Sequence, residues 1–106
     1  MNKIIYRHLF KDGKIQISPY EVVHMDKYCY IVRPMDYTVF YIGGVHIRKE
    51  EVGGYLSTGD SSEIWAYYWD KNPLGFRDKV IDHLDKQRER ITQTISALML
   101  YRGESV

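Results

Sequence analysis

Apolar and polar residues alternate with a period of two along the first two thirds of the chain, and the period changes near residue 73. Lys3 to Phe10 is rich in β-branched and aromatic residues and predicts a first strand. KDGK follows, and its Asp12-Gly13 centre suits a two-residue hairpin turn in which both residues take positive φ. IQISPYEVVHM then pairs antiparallel with the first segment. Pro19 has no N–H to give to a ladder, so it marks an edge position or a bulge. Asp26-Lys27 predicts a second turn and YCYIVR a third strand, ended by Arg33-Pro34. TVFYI is a fourth, ended by Gly43-Gly44, and VHIRK a fifth. EEVGGYLSTGDSS, residues 50–62, holds three glycines and a Ser/Thr/Asp cluster and reads as the longest loop, a natural carrier of function. EIWAYYW is the last strand. Its alternation sends Trp65, Tyr67 and Trp69 to one face and Ile64, Ala66 and Tyr68 to the other. The three-ring face has the larger apolar area, so it is the face expected beneath the following helix, with Tyr68 turned toward solvent or a partner.

Asn72-Pro73 is a helix start, with Asn as cap and Pro at the first helical position. Helical periodicity follows in Phe76, Val80, Leu84, Ile91, Ile95 and Leu98, with Ile81 and Met99 beside the stripe, and Gly103 is a stop. Asp78, Asp82 and Asp85 lie in the first half and Lys86, Arg88, Arg90 and Arg102 in the second half or at the end, as the helix dipole favours at each end. Such a helix is roughly 43 Å long at 1.5 Å per residue. A compact domain of this size has a radius of gyration of only about 13 Å. Two arrangements follow: one bent helix lying across the sheet, or a helix whose C-terminal half projects. In the second, Ile91, Ile95, Leu98 and Met99 need a partner, and a homodimer through this helix is the economical one.

Composition narrows the function classes. Of the 106 residues, 44% are hydrophobic and 27% charged, the balance of a folded chain and not a disordered one. The net charge of +1 gives no global attraction to nucleic acid or anionic membrane. Cys29 stands alone, so no intramolecular disulfide forms. MNKIIYRHLFKDGK does not read as a signal peptide, because Arg7 and His8 break its apolar run. No stretch approaches 18 apolar residues. A cytoplasmic protein with no membrane partner is expected.

Catalytic and metal chemistry find little footing. His8, His24, His46, His83 and Cys29 show no metal-ligand spacing, and no metal or cofactor is expected. Cys29 sits mid-strand between tyrosines, where a thiol acts as a small hydrophobe. Ser57, Ser61 and Ser62 have no nucleophile-elbow context. Glu50-Glu51 beside Arg48-Lys49 reads as a solvated strand end sooner than an acid/base pair. GGYLSTGD has glycines and hydroxyls but no lysine where a phosphate loop needs one. Nucleic acid fares better, since ten tyrosines give stacking rings. Tyr28, Tyr30, Tyr41, Tyr67 and Trp69 could share a sheet face with Lys3, Arg7, Lys14, Arg33 and Arg48 nearby.

Two segments carry a resemblance. Tyr6, Arg7, Phe10, Asp12, Gly13 and Lys14, then Arg48, Lys49, Glu50, Val52 and Gly53, resemble a class of short phage and prophage proteins with an N-terminal hairpin and a terminal helix. The matched motifs are structural and bring no active site. The resemblance implies a phage-type accessory protein that acts in the host cytoplasm by binding and modulating or inhibiting a host or defence-system macromolecule. The expected fold is α+β: one domain over 1–106, with an antiparallel sheet of about five or six strands over 1–69 and one long C-terminal helix over 73–102. The expected function is non-enzymatic binding, with Arg48, Lys49, Glu50, Glu51, Tyr55, Asp60 and Tyr68 as contact residues. A single-stranded nucleic-acid or nucleotide binder with a tyrosine-rich sheet face is the alternative, and a small enzyme comes last.

Overall fold

The computed structural model describes residues 3–35, 45–59, 62–101 and 103. It is an α+β arrangement: a six-stranded antiparallel sheet followed by one long helix. The strands are β1 (Ile4–Lys11), β2 (Lys14–Met25), β3 (Cys29–Pro34), β4 (Val45–Arg48), β5 (Ser57–Thr58) and β6 (Ile64–Tyr68), and α1 spans Leu74–Leu100. Their spatial order is β4-β3-β2-β1-β6-β5. The expected strand in TVFYI lies outside the described residues.

Local chemistry sets the turns. Asp12 and Gly13 both have positive φ, 52° and 73°, as the two-residue β1–β2 turn requires. At the β2–β3 turn the Asp26 carboxylate accepts backbone N–H groups from Tyr28 and Cys29, each at 2.8 Å. Those two bonds hold its pKa below the ordinary carboxylate range. Pro19 sits in a central strand just where β3 ends: its carbonyl accepts the Met35 N–H at 3.1 Å, and the ring nitrogen has no N–H to return a second bond. The bulge falls farther on, between Val22 and His24.

The segment expected as a plain loop over 50–62 is partly ordered. It opens with a 3-10 turn, Lys49–Glu51, and Val52 then makes a parallel bridge to Tyr67 of β6. Gly53 and Gly54 donate their N–H groups to the Tyr67 carbonyl at 2.8 and 3.2 Å. Both have strongly positive φ, 122° and 106°, which a side chain would resist. β5 then pairs with β6. The cause is burial: Val52 packs with Ile47, Val32 and Ile5, which draws the chain back onto the sheet. The bridge joins the chain just after edge strand β4 to β6, so the sheet curls.

Curling gives the sheet two unlike faces. The concave one holds Ile5, Val32 and Ile47, with Tyr20, Tyr30 and Tyr67 packed around them. The convex one holds Ile64 and Ala66, covered by Phe76 and Val80 of α1. This reverses the expectation for β6. Tyr67 packs in the concave cluster, while the Ile64, Ala66, Tyr68 face lies under the helix. The larger rings serve the curled interior, which has volume to fill. Ala66, fully buried, lets the helix approach the strand closely.

The start of α1 falls one residue later than expected: Pro73 is the N-cap and the helix opens at Leu74, although the Asn72 side chain still serves the first turn. Asn72 Oδ1 accepts the Leu74 N–H at 3.0 Å, and Pro73 already has helical dihedrals. Lys79 Nζ donates to the Gly54 carbonyl at 2.8 Å and ties the first turns to the segment after β4. The helix then leaves the sheet. Leu84 is exposed, and so is every residue from there to Tyr101. The radius of gyration is 18.6 Å and the extents are 64 × 30 × 28 Å, so the helix projects and does not bend across the sheet. Among the described residues no helix is long and apolar enough to cross a membrane.

Candidate functional site

Two surfaces carry unsatisfied chemistry. The first is the projecting part of α1. Ile91, Ile95 and Leu98 are 59%, 51% and 67% exposed, and Met99 more so. Ile81 and Leu84 continue the same stripe back toward the sheet and are exposed as well. This stripe is not the one that docks. Beside the sheet, Ile81 and Leu84 lie on average about a quarter of the circumference from Phe76 and Val80, since successive residues step about 100° around the axis; farther along, past the sheet, the stripe drifts back toward that azimuth. The helix thus has one apolar line spent on the sheet and a second, longer line facing outward. Ion pairs on the exposed surface of the helix join Lys86 with Asp82 at 3.1 Å and Arg88 with Asp85 at 3.0 Å.

The second surface pairs cations with rings. Tyr30 and Trp69 meet edge to face at 5.4 Å between centroids. Lys49 Nζ lies 5.4 Å from the Tyr30 ring centre and Lys3 Nζ 5.7 Å from that of Trp69. Next along β6, the Arg7 guanidinium sits 5.3 Å from the Trp65 ring centre, with its buried Nε unbonded. Tyr67 is edge-on to Tyr20, and burial raises its pKa, while the nearby Arg7 charge pulls the other way.

The expected contact residues separate. Arg48 pairs with Glu51 at 3.0 Å and Glu50 at 3.3 Å, so these three satisfy one another at the β4 corner. Lys49 lies over Tyr30, and Tyr55 is exposed. Asp60 falls outside the described residues. Tyr68 is not turned to solvent as expected. It packs against His8 and Phe76, and its buried hydroxyl has no hydrogen-bond partner. Burial raises its pKa. Of the rings expected to share one platform, Tyr30 and Trp69 touch, Tyr67 joins the concave cluster, Tyr28 stands out at 70% exposure, and Tyr41 lies outside the described residues.

Two residues carry roles that the sequence reading missed. His8 is fully buried between sheet and helix, with Nε2 3.0 Å from the Asp70 carbonyl and Nδ1 unbonded. Strand alternation from Phe10 would have placed it on the helix face. Arg7, taken only as a nearby charge, points into the concave side, as alternation from Ile5 implies. Among the described residues no three His, Cys, Asp or Glu side chains converge as metal ligands. An open apolar groove of about 430 Å³ lies along β1 and β2, lined by Ile4, Tyr6, Ile17, Pro19, Met35 and Lys71. No family model, curated protein or solved structure matches the chain.

Proposed function

We propose that this chain is a non-enzymatic binding protein and that the projecting half of α1 is its contact element. One observation carries the reading: an apolar line of Ile91, Ile95 and Leu98 on a helix that leaves its own sheet. Water-facing aliphatic side chains in register along a rigid rod cost free energy until something covers them. The resemblance of the β1–β2 hairpin and the Arg48–Gly53 segment to phage accessory proteins makes a host or defence-system macromolecule the partner class, met in a bacterial cytoplasm. A photo-crosslinking residue placed at Ile95 tests this in cells. A discrete adduct, absent when the probe replaces exposed Lys86, is the expected result. No adduct from positions 91, 95 and 98 would end the reading.

A single-stranded nucleic-acid or nucleotide binder is the second reading, favoured by the Lys3, Trp69, Tyr30 and Lys49 array. Rings flanked by cations are what base stacking beside a phosphate chain needs. Fluorescence anisotropy of labelled oligonucleotides over a salt series decides it. Binding that weakens steeply with salt supports the reading, and no binding at micromolar protein removes it.

A further inference from the structure

We propose that the outward line of α1 pairs with the same line of a second copy of this chain, antiparallel, with Ile81 facing Leu98, Leu84 facing Ile95 and Arg88 facing Ile91 of that copy. This rests on the helix being the contact element and puts a second copy, in place of a host macromolecule, as the partner that covers its apolar line.

The spacing is the first ground. Ile81, Leu84, Arg88, Ile91, Ile95 and Leu98 follow one another at alternating steps of three and four residues. That is the repeat of about 3.5 residues that keeps one seam facing a partner helix as the two wind around each other. Every aliphatic member of the series is exposed, including Ile81 and Leu84 beside the docked turns. Beside the sheet the docked residues are Phe76 and Val80, which leaves Ile81 and Leu84 exposed although Leu84 borders a cleft against Phe10 and Ile64, and from Arg88 on the seam has no sheet beside it.

Self-complementarity is the second. A two-fold axis between Glu89 and Arg90 maps Ile81 onto Leu98, Leu84 onto Ile95 and Arg88 onto Ile91, and each pair the other way round. All six layers then contain an aliphatic residue, with none left over. A patch that matches itself under a two-fold is what a symmetric dimer requires. The seam is about 26 Å long at 1.5 Å per residue. Covering it in both copies removes on the order of 1,000 Å², about the least that a specific interface buries.

Arg88 fixes the direction. A parallel pair stacks Arg88 on its own copy in the middle of the seam, two like charges at the least hydrated point. The antiparallel pair lays its aliphatic stem on Ile91 while the guanidinium stays at the edge with Asp85, its partner at 3.0 Å. ITQTISALMLY, residues 91–101, has no charged residue, so the tip of one copy meets Asp82 and Asp85 of the other without like-charge repulsion.

Sedimentation of the full chain and pairwise cysteine trapping test this on a Cys29→Ser background. Wild type is expected to be dimeric, and Ile95→Asp to weaken dimerisation by about 100-fold with helicity unchanged. Leu84→Cys and Ile95→Cys proteins, mixed and oxidised, are expected to give a covalent dimer that neither gives alone. In the antiparallel pair the two copies of residue 84 are about 16 Å apart. Self-linking of Leu84→Cys overturns the direction. A chain that stays monomeric at high concentration overturns the dimer, and crosslinking at Ile95 to another macromolecule would then leave the broader reading standing.

Discussion

The two halves of α1 share one backbone and comparable apolar residues, yet they meet opposite fates. In the first half Phe76 and Val80 are buried against Ile64 and Ala66. In the second, Ile91, Ile95 and Leu98 touch no sheet. Nothing in their hydrophobicity separates them. The difference is reach: the molecule extends 64 Å in one direction and only 30 and 28 Å in the others, because a helix about 40 Å long continues past the sheet it starts on. Beyond its third turn the helix has run out of sheet. Apolar periodicity therefore states which residues seek cover, while the size of the neighbouring element decides which of them find it within the chain.

Five substitutions press on that contrast. Phe76→Ala is expected to have the largest effect, a loss of about 3–5 kcal/mol in urea unfolding, because it opens a cavity between helix and sheet. Ile47→Ala, inside the concave cluster, follows at about 2–5 kcal/mol. If both left stability intact, neither cluster would be a core.

Tyr68→Phe should move the other way and stabilise by about 1 kcal/mol, since it removes a buried hydroxyl with no partner. The same substitution tests an alkaline effect. Burial raises the Tyr68 pKa in the fold, so its contribution is intact below the unfolded value and is lost as pH rises through the folded one. Wild type should thus lose stability above about pH 10 more steeply than the variant. A destabilised Tyr68→Phe would show that the hydroxyl has a partner after all.

Ile91→Ala, on the free half, should change monomer stability by less than about 0.5 kcal/mol at concentrations where the chain is dissociated. A loss near that of Phe76→Ala would mean that the free half docks. The smallest effect is expected from Asp26→Asn. Asp26 has a lowered folded pKa, so its contribution is present above the unfolded pKa and lost as pH falls through the folded value. Unfolding midpoints taken from about pH 5 down to about pH 2 should fall more for wild type than for the variant.

Legibility in the sequence followed the range of the interaction. Asp12-Gly13, Asp26-Lys27 and Asn72-Pro73 each act within a few residues, and each acts where expected, the helix start to within one residue. The alternation in β6 was equally plain, and the three-to-one division of its rings follows from it. Which face met the helix was not plain. That choice depended on Val52 bridging to Tyr67 and on the curl that this bridge closes, both contacts between distant segments. Area alone favoured the three-ring face. Close approach over Ala66 favoured the other, and it prevailed because the curled interior had already taken Tyr67. The free side of α1 was half legible: its apolar residues were evident, but their separation from the docking line was not, because both lie within one helical pattern.

By itself, then, the chain determined its element types, its turns and which helix residues are apolar, because dihedral preference, side-chain spacing and capping act locally. Only the tertiary structure decided that Tyr68 lies inward, that residues 50–59 strap the sheet, and that α1 outruns its support. Those outcomes depend on volume and on the curvature of the whole sheet, and no single segment encodes either.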